Sequence, residues 1–172
     1  MLSPTPTTNA TLAFRTGGFS TLAEGLDYAA AGETGMNFYS PRGDLVRVLS
    51  YRELRERAVD LAGRLVASKL RRGDRVAIIA ETNADFLIFF FGCQYAGLVP
   101  VPLPLSINFG GRDAYEARLR GMLMAAGARA AVASDELIEA LKVAAARTAV
   151  SLVGTPAEFY ALPAGDGILQ PL

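Results

Sequence analysis

The chain has 172 residues, 51% of them hydrophobic, and a mean hydropathy of +0.27, enough for one core of domain size and far from a disordered composition. Seventeen Lys and Arg against seventeen Asp and Glu leave a formal net charge of zero, which excludes the broad positive field of a nucleic-acid or acidic-membrane binder. The lone cysteine, Cys93, excludes an internal disulfide, and the lack of histidine excludes His-ligated metals and Ser-His or Cys-His catalysis.

Residues 1–18 are rich in Ser, Thr, Pro and Asn and have neither the basic nor the apolar region of a secretory signal. They read as a loose arm of a cytoplasmic protein, so the glycosylation tripeptide Asn9-Ala10-Thr11 carries no meaning. Three helix starts show the reciprocal capping pattern of a hydroxyl residue followed three positions later by Glu: Thr21 with Glu24, Ser50 with Glu53, Thr155 with Glu158. The first opens a short helix to about Gly32 with Leu22, Leu26 and Ala29 on one face. An extended stretch at Asn37–Tyr39, the turn Pro41-Arg42-Gly43-Asp44 and a strand Leu45–Leu49 then read as a hairpin.

From Ser50 the apolar positions Tyr51, Leu54, Ala58, Leu61 and Leu65 form one helical stripe, with Glu53/Arg57 and Asp60/Arg64 as i,i+4 pairs on the other face and Gly73 as the stop. Arg75–Ala80 is apolar at consecutive positions, the pattern of a strand covered on both faces. No charge falls between Phe86 and Gly111, but Gly97, Pro100, Pro102 and Pro104 break the run, so it is a buried helix (Asn83–Ala96) feeding a strand (Leu98–Pro102), not a membrane span. Helix Arg112–Ala126 and strand Ala130–Ala133, then helix Asp135–Arg147 and strand Val150–Val153, repeat the alternation. The fold expected is α/β, a doubly wound Rossmann-like sheet, mostly parallel, with helices on both faces. Residues 19–162 form the domain, and 163–172, without periodicity, form a linker.

Motifs that carry chemistry are scarce. Gly-x-Gly-x-x-Gly and the P-loop are absent. Gly110-Gly111 before a helix reads as a hinge or an anion site; Cys93, one turn from Phe89, Phe90 and Ala96, reads as buried and inert; Arg71, Arg72 and Arg75 read either as a phosphate grip or as charges complementing a helix end. No two carboxylates are spaced for acid-base work in one cleft.

Three stretches together resemble a known family. Leu49-Ser50-Tyr51-Arg52-Glu53-Leu54 is similar to the first core motif of adenylate-forming enzymes, Gly73-Asp74-Arg75-Val76-Ala77-Ile78 to the strand that follows it, and the run from Phe91 to Pro102 to the second core motif. Asn37-Phe38-Tyr39, Pro100-Val101-Pro102-Leu103-Pro104-Leu105, and Arg118-Leu119 before Ala126-Gly127-Ala128 most resemble the long-chain fatty acyl-AMP ligases. The resemblance implies an enzyme that joins a fatty acid to ATP with Mg²⁺, releases pyrophosphate and passes the acyl group to an acyl carrier protein or polyketide synthase. It also implies that the phosphate loop, adenine and ribose contacts, the Mg²⁺-linked Glu and the catalytic Lys come later than Leu172.

The expectation is therefore an N-terminal subdomain, inactive alone, with no catalytic, cofactor or metal residue of its own. The same resemblance makes Leu105, Ile107 and Phe109 candidates for the acyl-tunnel wall. It expects an apolar patch for the remaining subdomains, through which the isolated chain could form a homodimer. The alternatives are a piece of an acyl-CoA synthetase and a self-standing Rossmann-like binding or interaction module.

Overall fold

In the computed structural model, residues 12–105, 111–165 and 171 are described. Helix α1 (Leu22–Ala30) starts where Thr21 Oγ accepts the Glu24 N–H at 3.1 Å. Strands β1 (Gly35–Tyr39) and β2 (Leu45–Ser50) form the expected antiparallel hairpin. Its turn is closed by the Ser40 N–H donating to Asp44 O at 2.8 Å. Helix α2 (Tyr51–Ala67) follows without a linker because Ser50 Oγ accepts the Glu53 N–H at 3.1 Å. The buried Leu54, Ala58, Leu61 and Leu65 realise the predicted stripe, and the outer face carries Arg57–Glu53 at 4.0 Å and Arg64–Asp60 at 2.8 Å.

Then come β3 (Arg75–Ile79), α3 (Ala84–Tyr95), β4 (Val99–Leu103), α4 (Gly111–Ala126), β5 (Ala128–Val132), α5 (Ile138–Ala145), β6 (Leu152–Gly154) and α6 (Pro156–Tyr160). Strands β3 to β6 form one parallel sheet in the order β4-β3-β5-β6. The order dictates the layers. The chain steps outward from β3 to β4, then returns past β3 to β5 and continues to β6. With crossovers of one hand, reversing direction moves the connecting helix to the opposite face. Accordingly α3 shares a core with α1, α2, α6 and the inward residues Val76, Ile78, Ala130 and Val132. Helices α4 and α5 share the second core with Ala77, Ile79, Ala131 and Leu103.

Strand β4 lies at the edge of this sheet, which explains how it tolerates two prolines. The Val99 N–H is spent on Asp74 O at 2.9 Å. By alternation Val101 and Leu103 also face β3, while Pro100 and Pro102, which have no N–H, face outward.

Several boundaries differ from the sequence reading. Helix α2 stops at Ala67, not Gly73: the Ser68 N–H reaches back to Arg64 O and Lys69 takes φ +70, after which the chain turns. Helix α5 covers only Ile138–Ala145, without a side-chain cap, and β5 begins two residues early at Ala128. Strand β6 begins at Leu152 instead of Val150. On α1 the buried stripe is Ala23, Leu26 and Ala30, and Leu22 is exposed. Only Thr155 and Glu158 complete the reciprocal cap. Glu24 bonds the Ser20 N–H instead of its own cap residue, and Glu53 is held by Arg47. Residues 12–18 have no regular structure and lie against α1, with Arg15 4.3 Å from the Phe19 ring and Tyr28 donating to Ala13 O. Asn9 and residues 166–170 fall outside the described residues.

The tightest helix pair is α2 with α3, where Leu61 is fully buried and a Cβ on Gly92 would lie 3.0 Å from Leu61 Cδ2. Leu61→Ala should therefore lower the unfolding free energy by about 2–5 kcal/mol, with the denaturant slope unchanged. Urea unfolding followed by circular dichroism measures this, and a loss below about 1 kcal/mol would contradict the packing described.

Candidate functional site

In doubly wound sheets ligands bind outside the carboxyl ends of the strands, where the winding reverses. Here the reversal lies beside β3. A cleft of about 280 Å³ opens there, floored by Ile79 from β3, Val132 from β5 and Phe89 from α3. Its rim carries Asn83, Asp85, Ser134, Thr155, Tyr160 and Arg57. Asn83 is fixed as the cap of α3, its Oδ1 accepting the Phe86 N–H at 2.9 Å. Thr155 is fixed as the cap of α6. The Ser134 hydroxyl is buried and finds no hydrogen-bond partner among the described residues.

One polar chain ties the walls together. Tyr160 donates its hydroxyl to Asp85 Oδ1 at 2.8 Å, and Arg57 lies 3.6 Å from the same oxygen with its guanidinium 5.2 Å from the Tyr160 ring. Arg57 also reaches Glu53, which Arg47 of β2 meets at 2.5 Å. These ion pairs are a third or more exposed, so each is worth at most about 1 kcal/mol, and their effect is to orient. Burial, then the bond to Asp85, pushes the Tyr160 phenol above its ordinary range. A second, distal link does the same for Tyr95, raised by burial and by its bond to Asp27 at 2.6 Å, which Arg55 also meets at 2.6 Å. The cleft continues under the hairpin into a hollow of about 430 Å³ lined by Phe38, Tyr39, Val46 and Arg47.

This arrangement binds and orients but holds no nucleophile beside a base, and the described residues contain no group of three carboxylate or thiol ligands for a metal. Nor does it fit a triphosphate. Glu81, Asp85 and Asp135 line the cleft against one cation, Arg57, which is already engaged.

Of the sequence-predicted tunnel residues, only Leu105 falls among the described residues. Leu105 lies two residues past β4 and is 46% exposed, while Ile107 and Phe109 fall outside the described residues. Cys93 is buried as expected, and burial drives its thiol upward in pKa. Arg75 is spent on carbonyls, donating to Ala126 O at 3.0 Å and Gly127 O at 2.7 Å. Arg57, Asp85 and Tyr160 escaped the sequence reading because they stand 28 and 75 positions apart, and no local spacing signals such a meeting.

Residues 30–166 match the family of AMP-binding enzymes. The chain belongs to that family. Among curated relatives, a protein named as an acyl-CoA synthetase in Caulobacter vibrioides is 42% identical over 153 residues, covering 89% of this chain and 26% of its own length. A long-chain-fatty-acid–AMP ligase of Mycolicibacterium smegmatis is 38% identical over 72 residues, 40% of this chain and 11% of the relative. A solved structure from work on the fatty acyl-adenylate ligases of E. coli and L. pneumophila superposes with a TM-score of 0.86 at 43% identity, over 91% of this chain and 28% of the other. The chain thus spans about a quarter of the length of the AMP-binding relatives that it matches over most of its residues. The parallel sheet flanked by helices is that of the adenylate-forming N-terminal domain.

Ultraviolet titration should show Tyr95 and Tyr160 still neutral where free phenols ionise, at about pH 10. Tyr160→Phe and Tyr95→Phe should each remove one late step. A phenol raised in the folded state adds stability that is complete below the unfolded value and is lost as pH rises above it. Unfolding free energy should therefore fall less steeply with alkaline pH in the Tyr160→Phe variant than in the parent. Equal slopes would refute the burial assigned to Tyr160.

Proposed function

We propose that this chain is the N-terminal lobe of a ligase that condenses a fatty acid with ATP to an acyl-adenylate and then hands the acyl group to an acyl carrier protein. The observation that supports this most is the 43% identity and TM-score of 0.86 with the fatty acyl-adenylate ligase structure, over 91% of the chain. A medium-chain-fatty-acid–[acyl-carrier-protein] ligase of Moorena producens, 35% identical over 89 residues (50% of this chain, 15% of the relative), supports the carrier as acceptor. Adenylation is the chemistry such a lobe would serve, because it replaces a poor carboxylate leaving group by AMP. Mg²⁺ neutralises the phosphates in the complete enzyme.

In this reading the triphosphate is held by parts of the relatives' length that the chain does not span. What this lobe supplies is scaffold, one wall for the acyl chain at Leu105, Ile107 and Phe109, and an apolar face for its neighbours. The hairpin is the candidate for that face, with Val46 and Val48 on one side of it and Tyr39 and Leu45 on the other, all more than half exposed. The isolated chain could use it to dimerise. No helix among the described residues is long and apolar enough to cross a membrane, in keeping with work in the cytoplasm.

A second reading, a CoA thioester as product, is favoured by the name of the Caulobacter relative. Pyrophosphate exchange by the complete ligase should depend on fatty acid, and Leu105→Trp should shift its preference toward shorter acyl chains. Supplying CoA and phosphopantetheinylated carrier protein in parallel separates the two readings by which thiol is acylated. Calorimetry of this chain with ATP and Mg²⁺ should give no binding heat, and tight nucleotide binding would refute the division of labour.

A further inference from the structure

Helix α6 is too short to hold itself. Its five residues, Pro156–Tyr160, fall far below the length at which a helix persists alone in water, so its place is set by what it is tied to. Yet it forms one wall of the cleft, which Thr155, Pro156, Ala157 and Tyr160 line. At its start Thr155 and Glu158 cap each other. Beneath it Phe159 is buried, its ring edge-on to Phe89. On the cleft side Tyr160 is bonded to Asp85. The fourth tie is the segment that follows.

Residues 161–165 stay on the surface of α2. The Leu162 side chain packs on the core shared by α2 and α3, its N–H donates to Phe159 O at 3.2 Å, and its carbonyl accepts from Arg64 Nη1 at 2.5 Å. Arg64 is aimed at that carbonyl by Asp60, whose two oxygens accept from Nε at 2.8 Å and Nη2 at 3.2 Å. Three residues on, Gly165 lies against the last turns of α2. A Cβ on Gly165 would stand 2.6 Å from Ala67 Cβ, and one on Gly63 would stand 3.4 Å from Gly165 O. Gly165 is not in the left-handed region. Space, not backbone conformation, is therefore what requires a glycine there.

The attachment and the cleft wall are joined through very little chain. Only Ala161 separates Tyr160, on the rim, from Leu162, held by Arg64. A shift of the segment away from α2 cannot be absorbed in one residue and passes into the last turn of α6. Arg64, Gly63, Ala67 and Gly165 line no part of the cleft, so any effect they have on it runs through α6.

We propose that residues 161–165 are a latch on α2 that holds α6, and with it Tyr160, at the cleft wall, and that releasing the latch opens the cleft. The two events are one equilibrium. Whatever wedges α6 away from α3 detaches the segment, and whatever lifts the segment from α2 loosens Tyr160. The latch belongs to this lobe by itself and does not depend on the ligase reading.

Hydrogen exchange of this chain, read by mass spectrometry on peptides from α6 and the segment after it, tests the latch. In the parent the amides of Phe159, Ala161 and Leu162, all bonded, should exchange slowly. Gly165→Ala drives a methyl into Ala67. It should speed exchange of these amides at least tenfold, with peptides from α4 and α5 unchanged. It should also bring the late phenol step of Tyr160 down toward about pH 10. Adding Ala67→Gly removes the opposing methyl and should return both readouts to those of Ala67→Gly alone. Arg64→Met keeps the stem, loses the donor and should act in the same direction as Gly165→Ala. Gly121→Ala, on α4 with open space around it, should change neither readout. If Gly165→Ala loosens residues 163–165 but leaves the α6 amides and the Tyr160 step as they were, the coupling is overturned. Free exchange of the α6 amides in the parent overturns the latch, and so does a failure of Ala67→Gly to rescue.

Discussion

Strand β3 is the constraint on which the rest depends. It is hydrogen-bonded on both sides, to β4 and to β5, and its residues alternate between two cores: Val76 and Ile78 into one, Ala77 and Ile79 into the other. A strand buried this way can neither slip by one residue, which would exchange its two faces, nor admit a polar side chain without orphaning it. Because the chain leaves β3 in one direction and returns past it in the other, the helices divide between the two faces, and the cleft forms where they part. Placement of the cleft follows from winding alone. Its chemistry follows from what the neighbouring helix starts carry.

Those helix starts explain why the cleft is polar at the rim and apolar at the floor. Every crossover helix begins at the carboxyl edge, so cap residues such as Asn83 and Thr155 collect there by their local duty. The floor comes from strand ends and from Phe89, whose ring meets Phe159 edge-on at 5.3 Å. Tyr160, Asp85 and Arg57 then brace α6 against α3 and α2. The brace is half-exposed and weak pair by pair, yet it fixes the direction in which the chain leaves α6, with Arg64 holding Leu162 O at 2.5 Å one step further on.

Much of this was legible in the sequence, for identifiable reasons. Consecutive apolar positions at Val76–Ile79 announced a two-sided strand, a stripe at three- and four-residue spacing announced α2, and capping hydroxyls marked three starts. Legibility failed where the deciding contact is distant. Helix α2 ends on a left-handed Lys69 that no propensity favours, and the stripe of α1 is chosen by what α2 and α3 offer it. Leu22 and Ala23 are equally apolar candidates until the neighbouring helices select one. The cleft network was opaque for the same reason, since Arg57 looked satisfied by Glu53 within its own helix. The resemblance of the core motifs reached the family before the geometry did, but motif residues such as Ser50 and Glu53 turned out to act here in capping and bracing.

The outward prolines of β4 reach beyond the fold itself. An open strand normally offers a row of donors on which a foreign strand can add, the first step of amyloid-like stacking. With Pro100 and Pro102 on the outer side, that row is interrupted at each place where a newcomer would seek an N–H, so the sheet is closed to growth in that direction without a covering helix. A chain this apolar can therefore be made at high concentration with one flank insulated against self-templating, and the burden of protection shifts to the short β6 at the other flank.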